Sequence, residues 1–133
     1  MNARSMLASL FVCAGLLAGC DTATTTGPGI EPEIRNNTDS FEYQVSKVDR
    51  YSGTLTYNWS HTGTVANVNQ SAALTGGTAQ LVILDAAGAQ VYSKDLTANG
   101  TFVTAAGQAG TWRIQVVYSN ASGTLNFRAQ KRP

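Results

Sequence analysis

The chain has 133 residues, nine Lys and Arg against eight Asp and Glu, one His and two Cys, and only 13% of its residues are charged. That is about half the ordinary fraction of charge, and its near-neutrality argues against the dense basic patch by which a protein holds nucleic acid. The polar balance is made up by Thr, Ser, Asn, Gln and Gly, a composition common among exported β proteins.

The first element in chain order is an apolar run. Arg4 precedes Met6 to Leu17, which carries no charge. A spanning helix needs roughly 20 apolar residues, so this shorter run reads as a secretory leader. It closes in Leu17-Ala18-Gly19-Cys20, where an ordinary signal would end in small residues of the Ala-x-Ala kind. The tetrad resembles the lipobox of bacterial lipoproteins. That resemblance implies removal of residues 1–19, a diacylglyceryl group on the sulfur of Cys20, and acylation of its new amino group. It places the protein in the bacterial cell envelope, anchored to a membrane with its domain on the periplasmic or extracellular side. Two or three acyl chains anchor stably where one holds marginally, at about 0.8 kcal/mol per buried methylene. Cys13 falls in the leader. The mature chain therefore has no internal disulfide, and its stability must come from its core.

Residues 20–39 form the next unit. Thr22-Ala23-Thr24-Thr25-Thr26-Gly27-Pro28-Gly29 and Glu31-Pro32-Glu33 hold two prolines, few apolar side chains and no sustained period, which predicts a flexible tether. Some 18 residues reach roughly 60 Å fully extended.

Residues 40–133 follow a period of two. Phe41, Tyr43 and Val45 alternate with Glu42, Gln44 and Ser46; Leu55, Tyr57 and Trp59 alternate with threonines, Asn58 and Ser60. Both stretches predict half-buried antiparallel strands. His61-Thr62-Gly63 is a turn. Thr64 to Leu74 predicts a weaker strand through Val65, with Val68 out of phase, and Gly76-Gly77 interrupts it. Gln80 to Leu84 is apolar on both faces, as in a central strand packed on both sides. Asp85-Ala86-Ala87-Gly88 turns the chain into Val91–Leu96, and Asn99-Gly100 is a tight-turn signal before Thr101–Thr104. Trp112, Ile114, Val116 and Tyr118 share a face, Asn120-Ala121-Ser122-Gly123 predicts a hairpin turn, and Leu125, Phe127 and Ala129 line the return. Seven or eight short strands predict an all-β, antiparallel β-sandwich of jelly-roll-like form. Its core is expected to hold Phe41, Tyr57, Trp59, Leu81, Ile83, Trp112, Ile114, Val116 and Phe127.

The Asp-x-x-Gly hairpin, then Gly110-Thr111-Trp112-Arg113-Ile114 and Ser122-Gly123-Thr124-Leu125-Asn126-Phe127, resemble the final strands of bacterial pre-peptidase C-terminal domains. Those are sandwiches attached to secreted enzymes, with calcium in some members. The resemblance supports the fold and raises an accessory domain, or a small envelope hydrolase, as an alternative function.

Chemistry is sparse. His61 is the only histidine, and no Gly-x-Ser-x-Gly frames a nucleophile beside it, so the chain reads as non-enzymatic, with His61 in a loop. One His and a lipidated Cys cannot make a zinc site. Acidic residues are scattered, so no metal and no cofactor are assigned, and Asp85, Asp95 and Asn99 read as turn caps. Trp59 and Trp112 lie on the apolar phase of their strands. Tyr51 and Tyr92 lie off it and are the candidates for an exposed contact. The sequence thus predicts a membrane-anchored module presenting a polar surface to a protein or glycan partner in the envelope, a peptidoglycan binder being one alternative.

Overall fold

The computed structural model describes residues 29–133. The leader 1–19, Cys20, and the tether as far as residue 28 lie outside the described residues. Seven strands follow: β1 (Gly29–Ile30), β2 (Glu33–Asn37), β3 (Ser40–His61), β4 (Ala66–Leu84), β5 (Gln90–Asp95), β6 (Gly100–Val103) and β7 (Gly110–Lys131). They pair antiparallel in one sheet of order β1-β3-β7-β4-β5, with β2 also on β3 and β6 also on β4. The chain is all-β and antiparallel, as its alternation predicts, and no helix occurs among the described residues.

Three strands are far longer than ordinary ones: β3 and β7 have 22 residues each and β4 has 19. Fourteen residues of extended strand span about 46 Å, yet the rings of Tyr43 and Tyr57, fourteen apart on β3, lie 5.8 Å centroid to centroid. The strand therefore doubles back. Its partners do the same at the same level: register shifts fall between Val45 and Gly53 on β3 and between Leu74 and Thr78 on β4, while on β7 Asn120 and Gly123 take φ of 46° and 135°. One sheet thus folds along a corner into two halves that face each other. The first half contains β2, residues 40–48, 123–131 and 66–74, and β6. The second contains residues 53–61, 110–119 and 78–84, and β5. Strands that switch layers through bulges are the usual way to make such corners.

Between the halves lies one core. Phe41, Tyr43, Val68, Leu125 and Phe127 of the first half meet Trp59, Leu81, Ile83, Trp112, Ile114, Val116 and Tyr118 of the second. Phe41 and Tyr43 stack on Phe127 at 5.9 and 4.9 Å. The phenols of Tyr43 and Tyr118 bond each other across the core at 2.8 Å, which satisfies both buried hydroxyls; burial pushes both well above the usual phenol range. Tyr57, expected in the core, is only half-buried against it.

Several expectations change. The turn expected at Asn120–Gly123 is not a hairpin: residues 110–119 and 123–131 do not pair with each other, and β7 continues through it as one strand folded at the corner, because residues able to take positive φ here bend a continuing strand. The stretches 41–46 and 54–60 are likewise one strand, as are 64–74 and 80–84 apart from residues 64 and 65. Val68 is in phase after all, buried with Ala66 and Gln70. Val82 and Leu84 are half-buried on the outer face, since only one side of that strand meets the other layer. Asn99-Gly100 joins β5 to β6, but each pairs with β4 and not with the other. The last residues of the tether, Glu33–Asn37, are not a free linker but an edge strand held by five register partners on β3.

Gly77 (φ 70°) marks the corner on β4, and a β-carbon there would run into the carbonyl of Asn120 on β7. Gly88, in the β4–β5 turn, has φ 87° and open space around it. Left-handed backbone alone costs an L residue about 1–2 kcal/mol. Gly88→Ala should lose about that much and Gly77→Ala distinctly more, about 3 kcal/mol or above, in urea unfolding of the two variants; equal losses would contradict the corner.

Candidate functional site

The outer side of the first half is a coherent polar surface. Alternation sends Phe41, Tyr43, Leu125 and Phe127 inward, so their neighbours point out. Register then aligns them across the sheet. Arg35, Glu42, Arg128, Asn69 and Thr101 form one row over β2, β3, β7, β4 and β6. Asn37, Ser40, Gln130, Asn67 and Val103 form the row on one side of it, and Glu33, Gln44, Asn126 and Ser71 the row on the other. Only Val103 is apolar. The face is concave: a hollow of about 460 Å³ lies over Glu33, Arg35, Glu42, Gln44, Asn126 and Arg128, and a second of about 390 Å³ continues it past Ser71, Asn99 and Thr124.

The row is held by weak bonds. Arg128 Nε lies 3.5 Å from Glu42 Oε2, with both side chains well exposed, a pair worth about 0–1 kcal/mol. Asn69 Nδ2 donates to Thr101 Oγ1 at 2.7 Å. Guanidinium, amide, hydroxyl and carboxylate groups therefore stand at strand spacing, most of their capacity turned to solvent. Such a face can grip a polar ligand by many hydrogen bonds. The outward setting of Glu42 and Gln44 is legible in the alternation. That Arg128, Asn126 and Asn69 stand beside them is not, because strand order is unwritten in the sequence.

His61 is not in a loop. It ends β3 at 1% exposure, stacked 4.6 Å from Trp59 and edge-on 4.1 Å from Trp112. Neither ring nitrogen has a hydrogen-bond partner. Burial holds its pKa below the ordinary 6.5, a shift that the nearby Asp39 opposes. An imidazole enclosed by two indoles has no access to a substrate. It is core.

The carboxylates of Asp39, near it, and of Asp85 are already engaged within the fold. Asp39 accepts from Thr62 N and Thr62 Oγ1, both at 2.7 Å, and these bonds, the backbone one first, draw its pKa down. Lys131 Nζ completes the clasp with Thr62 Oγ1 at 3.0 Å. Asp85 accepts from Gln108 N, Ala89 N and Ala87 N at 2.8, 2.8 and 3.0 Å, which holds its pKa down and ties two loops together. Both act as caps. Among the described residues no three His, Cys, Asp or Glu side chains gather as a metal site would need.

Tyr92, expected to be an exposed contact, is 7% exposed. The register shift between Ile83 and Leu84 puts it inward, opposite Ile83, where its hydroxyl donates to Gln70 Oε1 at 2.8 Å; desolvation pushes its pKa up to about 12. Tyr51 is half-buried, edge-on to Tyr118 at 5.3 Å. Neither is a free stacking platform. Cys20 lies outside the described residues.

No protein-family model matches the chain, and a comparison with curated proteins finds no match either. Among solved structures, one described as the crystal structure of accessory secretory protein 1, 2 and 3 in Streptococcus pneumoniae aligns at a TM-score of 0.38. The identity is 13%, over 77% of this chain and 86% of that one. A likeness at that level carries no argument for fold or function.

Two predictions follow from the buried polar groups. Because His61 titrates below its unfolded value, the unfolded chain binds the extra proton, so stability is complete above about pH 6.5 and falls as pH drops below it. The depressed pKa values of Asp39 and Asp85 act only lower, below about pH 4. Denaturation curves from pH 7.5 to 5 should slope for the wild type and lie flat for His61→Phe. Tyr92→Phe should cost about 1–3 kcal/mol at pH 7, because it strips the donor from a buried Gln70 oxygen.

Proposed function

We propose that this chain is a lipid-anchored envelope module that works by binding, without catalysis, through the concave polar face of its first half. The observation that supports it is the three registered rows of polar side chains. They cover one whole sheet face with guanidinium, amide and hydroxyl groups whose internal bonds contribute little to stability. The Leu17-Ala18-Gly19-Cys20 tetrad supports the anchor. The fate of the titratable groups supports the absence of catalysis: His61 is sealed between tryptophans and Asp39 and Asp85 cap backbone. A general base needs to be within hydrogen-bond reach of its substrate.

A second reading, a glycan of the cell wall as the ligand, is favoured by the concavity and by its amide-rich lining. Planar amide and guanidinium groups suit sugar hydroxyls and acetamido groups. The inward turn of Tyr92 removes the exposed ring on which sugars commonly stack, so this ligand would be gripped by hydrogen bonds alone.

Two measurements test the proposal. Metabolic labelling with a radioactive fatty acid should mark the wild type and leave Cys20→Ala unlabelled; an unlabelled wild type ends the anchor. Arg128→Glu combined with Asn126→Ala should leave the melting temperature unchanged and lower binding of purified envelope fractions or sacculi at least about tenfold, or about 1.4 kcal/mol. Thr56→Ala combined with Gln115→Ala, on the outer side of the second half, should leave binding unchanged. Loss of binding in sacculi alone selects the glycan.

A further inference from the structure

The margin of the polar face is β2, whose outer side meets no other strand among the described residues. Its backbone can be oriented from one bond. Lys131 N donates to Asp39 O at 2.9 Å, so odd-numbered residues at the start of β3 aim their backbone groups at β7, and Ser40, Glu42 and Gln44 aim theirs at β2. Their register partners Asn37, Arg35 and Glu33 point back into the hairpin. Antiparallel alternation then leaves the N–H and C=O of Ile34 and Asn36 directed outward, a template for another strand. Ile34 is also one of the two large apolar side chains left exposed among the described residues, at 36%. It lies on the inward-pointing phase with Tyr43, at the open margin between the two halves.

We propose that two copies of this chain pair through β2, antiparallel and about a two-fold axis, with Ile34 opposite the partner's Ile34. Charge selects both the occupant and the register. A two-fold axis normal to the sheet keeps each face on its own side, so in this register Glu33 stands opposite the partner's Arg35 and Arg35 opposite the partner's Glu33. Two ion pairs on the polar side flank one apolar contact on the core side. A register centred on Arg35 would oppose two guanidinium groups, and one centred on Asn36 would place neither ion opposite a counter-charge of the partner. The opposite margin of the same half, β6, reads Gly100-Thr101-Phe102-Val103 and offers no charge to recognise. Pairing of this kind is isologous and closes at two copies. It joins the two polar faces into one continuous surface, and it stands independently of what that surface binds.

Sedimentation equilibrium of the full chain, in detergent with micelles in large excess, should give a dimer that dissociates on dilution. Ile34→Pro removes an N–H that faces solvent in the single protomer, where proline is tolerated; it should leave thermal melting intact and yield monomer at every concentration. Glu33→Lys, whose own cross-strand neighbour is the uncharged Gln44, should weaken the dimer at least about tenfold, since two attractions become two repulsions. A wild type that stays monomeric into the high micromolar range overturns the proposal, as does an Ile34→Pro dimer. Should Ile34→Pro not fold, an unchanged dissociation constant for Glu33→Lys overturns it alone.

Discussion

At Gly77 the backbone of β4 passes so close to the carbonyl of Asn120 on β7 that no side chain fits between them. The same crowding recurs one strand-crossing away, where a β-carbon on Gly123 would meet the backbone of Ala73 and Leu74. This close approach is the constraint the rest obeys. Three long strands must bend along one line, and a bend in the middle strand is sterically allowed only if both neighbours bend with it. Positive φ at Arg50 and Gly53 on β3 supplies the third member. A misplaced corner on any one strand would slip its register against the others, and a slip of one residue would exchange core and solvent faces along the strand.

Once the corner is fixed, the division between inside and outside follows from alternation alone. Seven aromatic side chains reach the buried core: Phe41, Tyr43, Trp59, Tyr92, Trp112, Tyr118 and Phe127. With so many rings inside, the polar atoms they carry had to be matched there. The Tyr43–Tyr118 bond, the Trp59 bond to Asn37 O and the Trp112 bond to Gln108 O do this. Gln70, only 2% exposed, uses three bonds, to Asp95 O, Ala98 O and the Tyr92 hydroxyl. A satisfied amide of this kind fixes one geometry, here the crossing from β5 to β6. His61 is the exception, a polar ring packed against two indoles, stacked on Trp59 and edge-on to Trp112, with no hydrogen bond to its nitrogens.

How much of this was readable in advance depends on the range of the interaction. Period-two alternation is a property of neighbours, so the all-β class and eight of the nine expected core residues emerge from the sequence, Tyr57 being the one left half-buried. Corner and hairpin, by contrast, draw on the same residue types: Asn120 and Gly123 can reverse a chain or bend it, and only the partner strand decides. Tyr92 was misplaced for a related reason, since a bulge shifts the phase of everything beyond it. The polar face needed strand order as well. Glu42 is visibly outward, but its standing between Arg35 and Arg128 is a fact of three strands that are remote in sequence.

Chain entry gives the polar face a direction. Gly29 and Ile30 pair with Asp49 and Val48, beside the corner, whereas Asp39, His61, Lys131 and Asp85 gather at the far end of the same strands. An anchor at Cys20, nine residues before Gly29, would therefore hold the corner end within about 30 Å of the bilayer, the span of those residues when extended. The three polar rows run from the corner end, at Glu33 and Gln44, to the far end, at Asn37 and Ser40. A ligand beside the broad side of the sheet would meet the whole face, whereas one approaching along the strands from the far end would meet only the capped loops there, where Asp39 is already engaged by Thr62 and Asp85 by backbone N–H groups.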